Sequence, residues 1–204
     1  MAMSTTLTHS EPGTIFLRFG SFMKKLSEED FLEFCQLNRE LRIERTKEGD
    51  LIIMPPTFSK TGERNFKLAV KFGNWAESDG TGIGFDSSTG FTLPNSAVRS
   101  PDLSWMQLAR WSALTEEEKN RFTSVCPDFV VELRSESDTL KTLKAKMEEY
   151  IENGAQLGWL IDPFEKNVYI YRQKSTVECL EHPDTVSGEP LLKGFVLKME
   201  EIWD

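Results

Sequence analysis

The stretch Phe129-Val130-Val131-Glu132-Leu133-Arg134 decides the fold, because it has the composition of a buried strand and yet carries a carboxylate. Side chains alternate between the two faces of a strand, so Glu132 and Arg134 share one face while Val131 and Leu133 share the other. An acid inside an apolar strand is costly unless it is paired or holds a cation. The function of the chain therefore depends on what Glu132 contacts.

A charged helix and a second buried strand follow this stretch. The helix is predicted over residues 138–153, with Gly154 in the position that commonly ends a helix. Residues 157–162 then have the apolar composition of a buried strand. A strand–helix–strand unit implies a parallel pair of strands, whereas hairpins are antiparallel, so the sequence predicts a mixed sheet.

Hydrophobic spacing and turn residues predict the remaining elements. Helices are predicted near residues 28–39, 61–79 and 115–119, and hairpins over 41–54 and 85–93. Further strands are predicted at 98–106, 168–171 and 176–180, followed by a short strand and packing segment within 191–204. Residues 1–12 are polar and rich in Ser and Thr, which favours a disordered tail. We therefore interpret 1–26 as tail and lead-in to a single domain over 27–204.

Composition excludes several classes of protein. No apolar run approaches the ~20 residues that a membrane span needs, and the N-terminus has no secretory signal pattern. The three cysteines are far apart and odd in number, which argues against a disulfide framework and favours a cytoplasmic location. The two histidines, His9 and His182, are too few for a histidine-rich zinc site or a Ser-His-Asp triad. Any chemistry must therefore use carboxylates and lysines.

The net charge of −9 argues against unaided binding of nucleic acid. Proteins that bind DNA usually carry a basic face, because neutralisation of phosphates supplies most of their affinity. Net charge does not fix the local potential, however, and a cleft that holds a cation can still accept a phosphate.

Two acids on successive predicted strands could form such a cleft. Asp102 follows Pro101, and a surface helix separates it from Glu132. If the strands pair, these carboxylates and a backbone carbonyl such as that of Leu133 give the oxygen ligands that suit Mg²⁺ or Mn²⁺. The spacing alone also fits structural roles, in which Asp102 caps a strand and Glu132 pairs with Arg134 or Lys146.

Several segments carry a resemblance to a known family. They are Ser-Pro-Asp-Leu-Ser-Trp at 100–105, Pro-Asp-Phe-Val-Val-Glu-Leu-Arg-Ser-Glu-Ser-Asp at 127–138, Lys146-Met147 to Tyr150 with Gly154, and Trp-Leu-Ile-Asp-Pro at 159–163, together with Met-Pro-Pro-Thr at 54–57 and Phe-Asp-Ser-Ser-Thr-Gly-Phe at 85–91. The chain resembles, from about residue 27 to 171, a large bacterial family of restriction-endonuclease-like proteins, formerly catalogued as a domain of unknown function. That family belongs to the PD-(D/E)XK nuclease superfamily. The resemblance implies an α/β restriction-endonuclease-like fold, in which helices flank a mixed central β-sheet.

The resemblance also implies roles for individual residues. Asp102 and Glu132 would be the acidic metal ligands, and Lys146 of the following helix would assist catalysis. The superfamily normally has a lysine two residues after the second acid, where this chain has Arg134. An arginine can offset phosphate charge but does not readily act as a base. Glu63 resembles the accessory acid that many superfamily members carry on the preceding helix.

The function implied by the resemblance is divalent-metal-dependent hydrolysis of nucleic-acid phosphodiesters by an endonuclease. Mg²⁺ or Mn²⁺ would be the cofactor, nucleic acid with DNA favoured the substrate, and a homodimer the expected assembly. A non-catalytic binding or regulatory protein that keeps the fold is the alternative, which the acidic charge and Arg134 favour. A hydrolase of other phosphate esters is a third reading.

Overall fold

The computed structural model of the chain describes residues 7–8, 13–18 and 26–203, which form fourteen strands and six helices. The strands are β1 (Leu7–Thr8), β2 (Ile15–Leu17), β3 (Arg42–Arg45), β4 (Leu51–Met54), β5 (Gly82–Asp86), β6 (Phe91–Thr92), β7 (Val98–Arg99), β8 (Leu103–Gln107), β9 (Phe129–Leu133), β10 (Leu157–Asp162), β11 (Asn167–Arg172), β12 (Glu178–Glu181), β13 (Thr185–Ser187) and β14 (Val196–Lys198). The helices are α1 (Glu28–Leu37), α2 (Ser59–Asp79), α3 (Leu108–Ser112), α4 (Glu116–Lys119), α5 (Leu140–Glu152) and α6 (Glu200–Trp203). None of the helices in this described part has the length and apolarity needed to cross a membrane.

The central sheet has six strands in the order β12-β11-β10-β9-β8-β5. Strands β9 and β10 pair in parallel, because helix α5 connects them as a crossover. The other neighbours in this sheet pair antiparallel. The prediction of a mixed central sheet flanked by helices is therefore confirmed.

A second sheet has the order β1-β2-β4-β3-β7-β6, and β13 and β14 form a separate hairpin. The predicted hairpin over residues 85–93 is wrong, since β5 pairs with β8 in the central sheet and β6 pairs with β7 in the second. Asp86 anchors a tight turn here, because its Oδ1 accepts a hydrogen bond from the amide of Ser88, and the chain then passes from the central sheet to the second sheet. Strand β2 lies in the predicted lead-in, yet it pairs with β4.

The disordered tail predicted over residues 1–12 falls largely outside the described residues, as does His9. Helix α1 begins as its sequence indicates, because Ser27 and Asp30 form a reciprocal capping box. Helix α5 ends before Gly154, whose φ of +116° is a conformation that favours glycine.

The two faces of β9 pack against different layers, as the alternation of its side chains predicts. Phe129, Val131 and Leu133 join the core beneath α2. Val130 joins the opposite core, where Met147 and other apolar residues of α5 pack. Glu132 therefore faces α5, and its strand and this helix determine which groups can reach it.

Candidate active site at the junction of the two sheets

A cleft of about 390 Å³ lies where the second sheet, α2 and the end of β9 meet. The structure brings four of the five sequence-predicted site residues to its wall, namely Asp102, Glu132, Leu133 and Lys146. Asp102 reaches this place because residues 100–102 carry the chain from β7 in the second sheet to β8 in the central sheet. Glu132 reaches it from the fourth position of β9.

Asp102 is held by two neutral donors, and no cationic side chain pairs with it among the described residues. The backbone amide of Leu133 donates to Asp102 Oδ2 at 2.9 Å, and the side-chain amide of Asn65 lies 3.3 Å from Asp102 Oδ1. In a strand the N–H and C=O of one residue point to the same side, so the Leu133 carbonyl is directed toward the Asp102 side of β9. Burial raises the pKa of the Asp102 carboxyl, although the Leu133 amide opposes this shift.

Glu132 is 4% exposed and has two partners on α5. Its Oε1 lies 2.8 Å from Lys146 Nζ and accepts a hydrogen bond of 3.0 Å from the Tyr150 hydroxyl. Burial raises the pKa of Glu132 to about 8, and the negative charges of Asp102 and Glu44 add to the rise. Lys146 only partly offsets these effects. The positive charge near Glu132 is therefore too small to stabilise its ionised carboxylate fully in this structure.

Lys146 joins Glu132 to a buried acid of the second sheet. Its Nζ lies 2.9 Å from Oε1 of Glu44, a residue of β3 that is 2% exposed. Burial opposes the ammonium form, but the two carboxylates outweigh it and raise the pKa of Lys146 above its ordinary value. Lys146 therefore carries a positive charge throughout the neutral pH range and does not act as a proton acceptor.

Arg134 lies outside this group of charges. It follows the last residue of β9, and its Nη1 pairs with Asp162 Oδ2 at 2.7 Å. The guanidinium also lies over the Phe164 ring, 5.2 Å from its centroid. The sequence left open whether Glu132 pairs with Arg134 or Lys146, and in the structure the partner is Lys146.

Glu63 is the one predicted site residue that the structure does not bring to the cleft. Its carboxylate is 47% exposed and pairs with Lys60 at 3.2 Å and with Lys67 at 2.9 Å on the outside of α2. Successive residues of an α-helix are separated by about 100°, so a position two residues later faces nearly the opposite way. Asn65 is that position, and it faces Asp102.

Three residues of the site were missed by the sequence analysis. Asn65 of α2 lines the cleft, whereas Glu44 of β3 contacts Lys146 and Tyr150 of α5 contacts Glu132. Glu44 gives no such signal as Glu132 does, because three of the four residues of β3 are charged and an acid is unremarkable there. Asn65 gives no local signal, since its role depends on how α2 crosses the end of β8.

The oxygen atoms around the cleft fit a hard divalent cation. Asn65 Oδ1 is buried and has no hydrogen-bond partner, although its amide group lies beside Asp102. Such an orphaned acceptor is unfavourable unless a cation or a cation-bound water meets it. Within residues 7–8, 13–18 and 26–203 there is no cluster of three or more His, Cys, Asp or Glu suited to a metal ion. The two carboxylates would need neutral oxygen ligands, which Mg²⁺ and Mn²⁺ accept.

The charges around the cleft lead to the same conclusion. Five charged side chains line it, three carboxylates and two cations, so that one negative charge remains when all are ionised. This excess favours a bound cation. The five are Arg42, Asp102, Glu132, Asp138 and Lys146.

Comparison with known proteins identifies related folds. The family model Uma2, described as "Putative restriction endonuclease", matches residues 28–200. A similar solved structure is a crystal structure of a putative nuclease belonging to DUF820 from Anabaena variabilis ATCC 29413. It superposes with a TM-score of 0.71 at 21% sequence identity, covering 87% of this chain and 97% of the other. No curated protein matches the chain.

Proposed function

Since this chain belongs to the Uma2 family, we propose that it is a divalent-metal-dependent nuclease that hydrolyses phosphodiester bonds, with DNA as the favoured substrate. The observation that carries the proposal is the pair formed by Asp102 and Glu132, which line one cleft with raised pKa values and insufficient positive charge. The unpartnered oxygen of Asn65 beside them supports the same assignment.

The groups that line the cleft would have different roles. Asp102, Glu132 and the Leu133 carbonyl would hold Mg²⁺ or Mn²⁺, which supplies charge neutralisation for the phosphoryl group and lowers the pKa of a bound water. Lys146 would place its ammonium group against the charge that develops on the phosphate. Arg134 contributes nothing in this arrangement, because Asp162 holds its guanidinium away.

Proton transfer would fall to water rather than to a lysine. Lys146 is kept protonated by two carboxylates, and the pKa of Tyr150 is raised well above its ordinary value by burial and by Glu132. Neither group is a base at neutral pH. The proton of the attacking water would therefore leave through solvent or a phosphate oxygen.

The experiment combines Mn²⁺ calorimetry with cleavage of a labelled DNA in Mg²⁺ or Mn²⁺. We expect one Mn²⁺ per chain and metal-dependent cleavage for the wild type, and neither for Asp102→Ala. Glu63→Gln is the matched control, because it removes one carboxylate from α2 that lies outside the cleft. It should keep both properties.

The outcomes also separate the alternatives. Heat of binding without cleavage of DNA or RNA, and with cleavage of a small phosphodiester, would indicate a hydrolase of other phosphate esters. The absence of carboxylate-dependent heat would indicate a non-catalytic protein that retains the fold. The pairing of Arg134 with Asp162 instead of with a group of the cleft, and the acidic charge of the chain, favour this second candidate function.

A further inference from the structure

The ammonium group of Lys146 is shared between acids of two different sheets. It lies 2.8 Å from Glu132 Oε1 on β9 and 2.9 Å from Glu44 Oε1 on β3. Glu132 lines the cleft that contains Asp102, whereas Glu44 lines the adjoining cavity on the other side of Lys146. Lys146 therefore lies at the boundary between the two cavities.

Glu44 is a fixed anchor for this ammonium. Its Oε1 also accepts a hydrogen bond of 2.9 Å from the amide of Ser100, and its Oε2 pairs with Arg99 Nη1 at 3.1 Å. Burial would raise the pKa of Glu44, but the charges of Lys146 and Arg99 outweigh it and lower that pKa. Each oxygen of the carboxylate is thus oriented by a group of the second sheet or its connection.

A cation bound by Asp102 and Glu132 would compete with Lys146 for Glu132. The ammonium and the divalent cation carry charges of the same sign, and in a partly desolvated cleft their repulsion is stronger than in water. An ammonium with Glu132 as its sole partner would either leave the cleft or exclude the cation. The second carboxylate removes this conflict, because Glu44 holds the ammonium from the adjoining cavity, which Asp102 does not line.

We propose that Glu44 is the positioning residue that retains Lys146 beside the reacting phosphate once a divalent cation occupies Glu132. This assignment rests on the proposed nuclease function and adds a second-sheet residue to its machinery. Glu44 touches neither the cation nor the substrate. It acts through the position of Lys146, so its loss should lower turnover and cation affinity while leaving substrate affinity nearly unchanged.

The test compares Glu44→Gln with Glu149→Gln. Glu149 is the matched control, because it lies in the same charge network and pairs with Arg99 Nε at 2.6 Å but does not contact Lys146. Each variant removes one negative charge from a side chain that is at most 11% exposed. We expect Glu44→Gln to lower kcat about tenfold or more, with about 100- to 1000-fold, the loss typical of a group that contacts the reacting atoms, as the upper bound, and with KM changed less than about threefold. Glu149→Gln should change kcat and KM by less than about threefold each.

Mn²⁺ calorimetry and a conservative variant complete the comparison. Glu44→Gln should weaken Mn²⁺ binding more than Glu149→Gln does, because Lys146 then has Glu132 as its remaining carboxylate. Glu44→Asp keeps the charge and should recover part of kcat. Equal effects of Glu44→Gln and Glu149→Gln on kcat and on Mn²⁺ binding would overturn the proposal, since charge alone would then explain them.

A measurement on the wild type decides the matter if Glu44→Gln does not fold. The ¹⁵Nζ signal of Lys146, assigned by its absence in Lys146→Arg, should stay protected from hydrogen exchange at saturating Mg²⁺. Loss of that protection would overturn the proposal, because it would mean that Glu44 does not retain the ammonium. If the wild type neither binds Mn²⁺ nor cleaves DNA, the proposed function fails and this assignment fails with it. If the wild type does both, only the role of Glu44 is in question.

Discussion

The two ends of the β9 segment each bury an acid, and the two acids have opposite surroundings. Asp128, just before the strand, is fully buried and accepts hydrogen bonds from the amide of Gln107, from Arg110 and from Gln156. Glu132, near the other end, has a cleft on one side and shares its single cation with Glu44. Residues 128–132 thus include one acid with sufficient hydrogen-bond donors and one with too few.

The comparison teaches that burial of a carboxylate does not by itself mark a functional site. Asp128 is more deeply buried than Glu132 and is held by three neighbouring donors, so it needs nothing further. Glu132 has too few donors, a like charge nearby and room for a ligand. A shortage of positive charge beside an open volume therefore distinguishes the candidate site from a structural ion pair.

The largest expected effect separates the two acids by activity. Glu132→Gln should lower metal-dependent DNA cleavage at least about 1000-fold, because an amide oxygen binds a hard cation more weakly than a carboxylate does and the charge that attracts the cation is lost. The folded fraction of Asp128→Asn should cleave DNA at a rate within about tenfold of the wild-type rate. A cleavage assay normalised to folded protein checks both, and equal losses for the two variants would contradict the distinction.

The second prediction concerns stability, for which we expect substitution of Asp128 to have the larger effect and substitution of Glu132 the smaller. Asp128→Asn should lower the free energy of unfolding by about 3 kcal/mol, because Arg110 and the other donors lose a buried charged acceptor. Glu132→Gln should leave that free energy unchanged or raise it, since the ionised carboxylate is repelled by Asp102 and Glu44. Urea denaturation at pH 8 measures both. Substantial destabilisation by Glu132→Gln would mean that Glu132 is a structural partner of Lys146.

The third prediction uses the raised pKa of Glu132. At pH 6 a carboxyl with a pKa of about 8 is mostly protonated, so a cation must displace its proton. Mn²⁺ affinity should therefore rise with pH by at most about tenfold per unit and level off above pH 8. Calorimetry from pH 6 to 9, in buffers of different ionisation enthalpy, counts the proton released. Asp128→Asn should retain this pH dependence, and a pH-independent affinity would contradict the assignment.

The same shift has a consequence for the protein without a cation. Because the folded-state pKa of Glu132 exceeds its ordinary value of 4.5, the folded protein binds more protons than the unfolded chain between these pH values. This group therefore makes the fold less stable as the pH rises from about 4.5 to 8. Saturating Mn²⁺ should reduce this decline, and thermal melts with and without Mn²⁺ measure it.

The smallest expected effect concerns the orphaned oxygen of Asn65. Asn65→Ala removes a neutral donor and acceptor beside Asp102 and should weaken Mn²⁺ binding by about three- to tenfold, at or below the range for groups that orient metal ligands. Lys60→Ala, on the exposed side of the same helix, is the control and should leave Mn²⁺ binding unchanged. An unaltered Mn²⁺ affinity in Asn65→Ala would remove that amide from the site.

The strand–helix–strand unit and its parallel pair could be predicted from sequence because their information is local. Alternation along β9, the apolar stripe of α5 and Gly154 all act over a few residues. The failed hairpin over 85–93 shows the limit of such reasoning. A turn at Asp86 is compatible with a hairpin and with a crossing between two sheets, and distant strands decide which one forms.

The candidate site was predictable only in part for the same reason. Asp102, Glu132 and Lys146 follow family motifs, and the structure brings them together. Glu44 lies 102 residues before Lys146 in the chain, so their contact depends on how the second sheet docks. Whether Glu63 or Asn65 faces the cleft depends on how α2 is rotated about its axis. Residues two positions apart on a helix face nearly opposite ways, so a small error in the assumed rotation selects the wrong one.

The charge network that begins at Glu132 and runs through Lys146 and Glu44 to Arg99 also joins two separately hydrogen-bonded sheets. Salt bridges of this length tolerate little separation, whereas the strands within each sheet can remain intact if the sheets move apart. If the proposed nuclease function holds, a compound that separates the two sheets at this network would draw Lys146 away from the substrate phosphate while the central sheet stays folded. The contact between the sheets would then be a point of inhibition, and a crosslink between the sheets should protect the enzyme from such a compound.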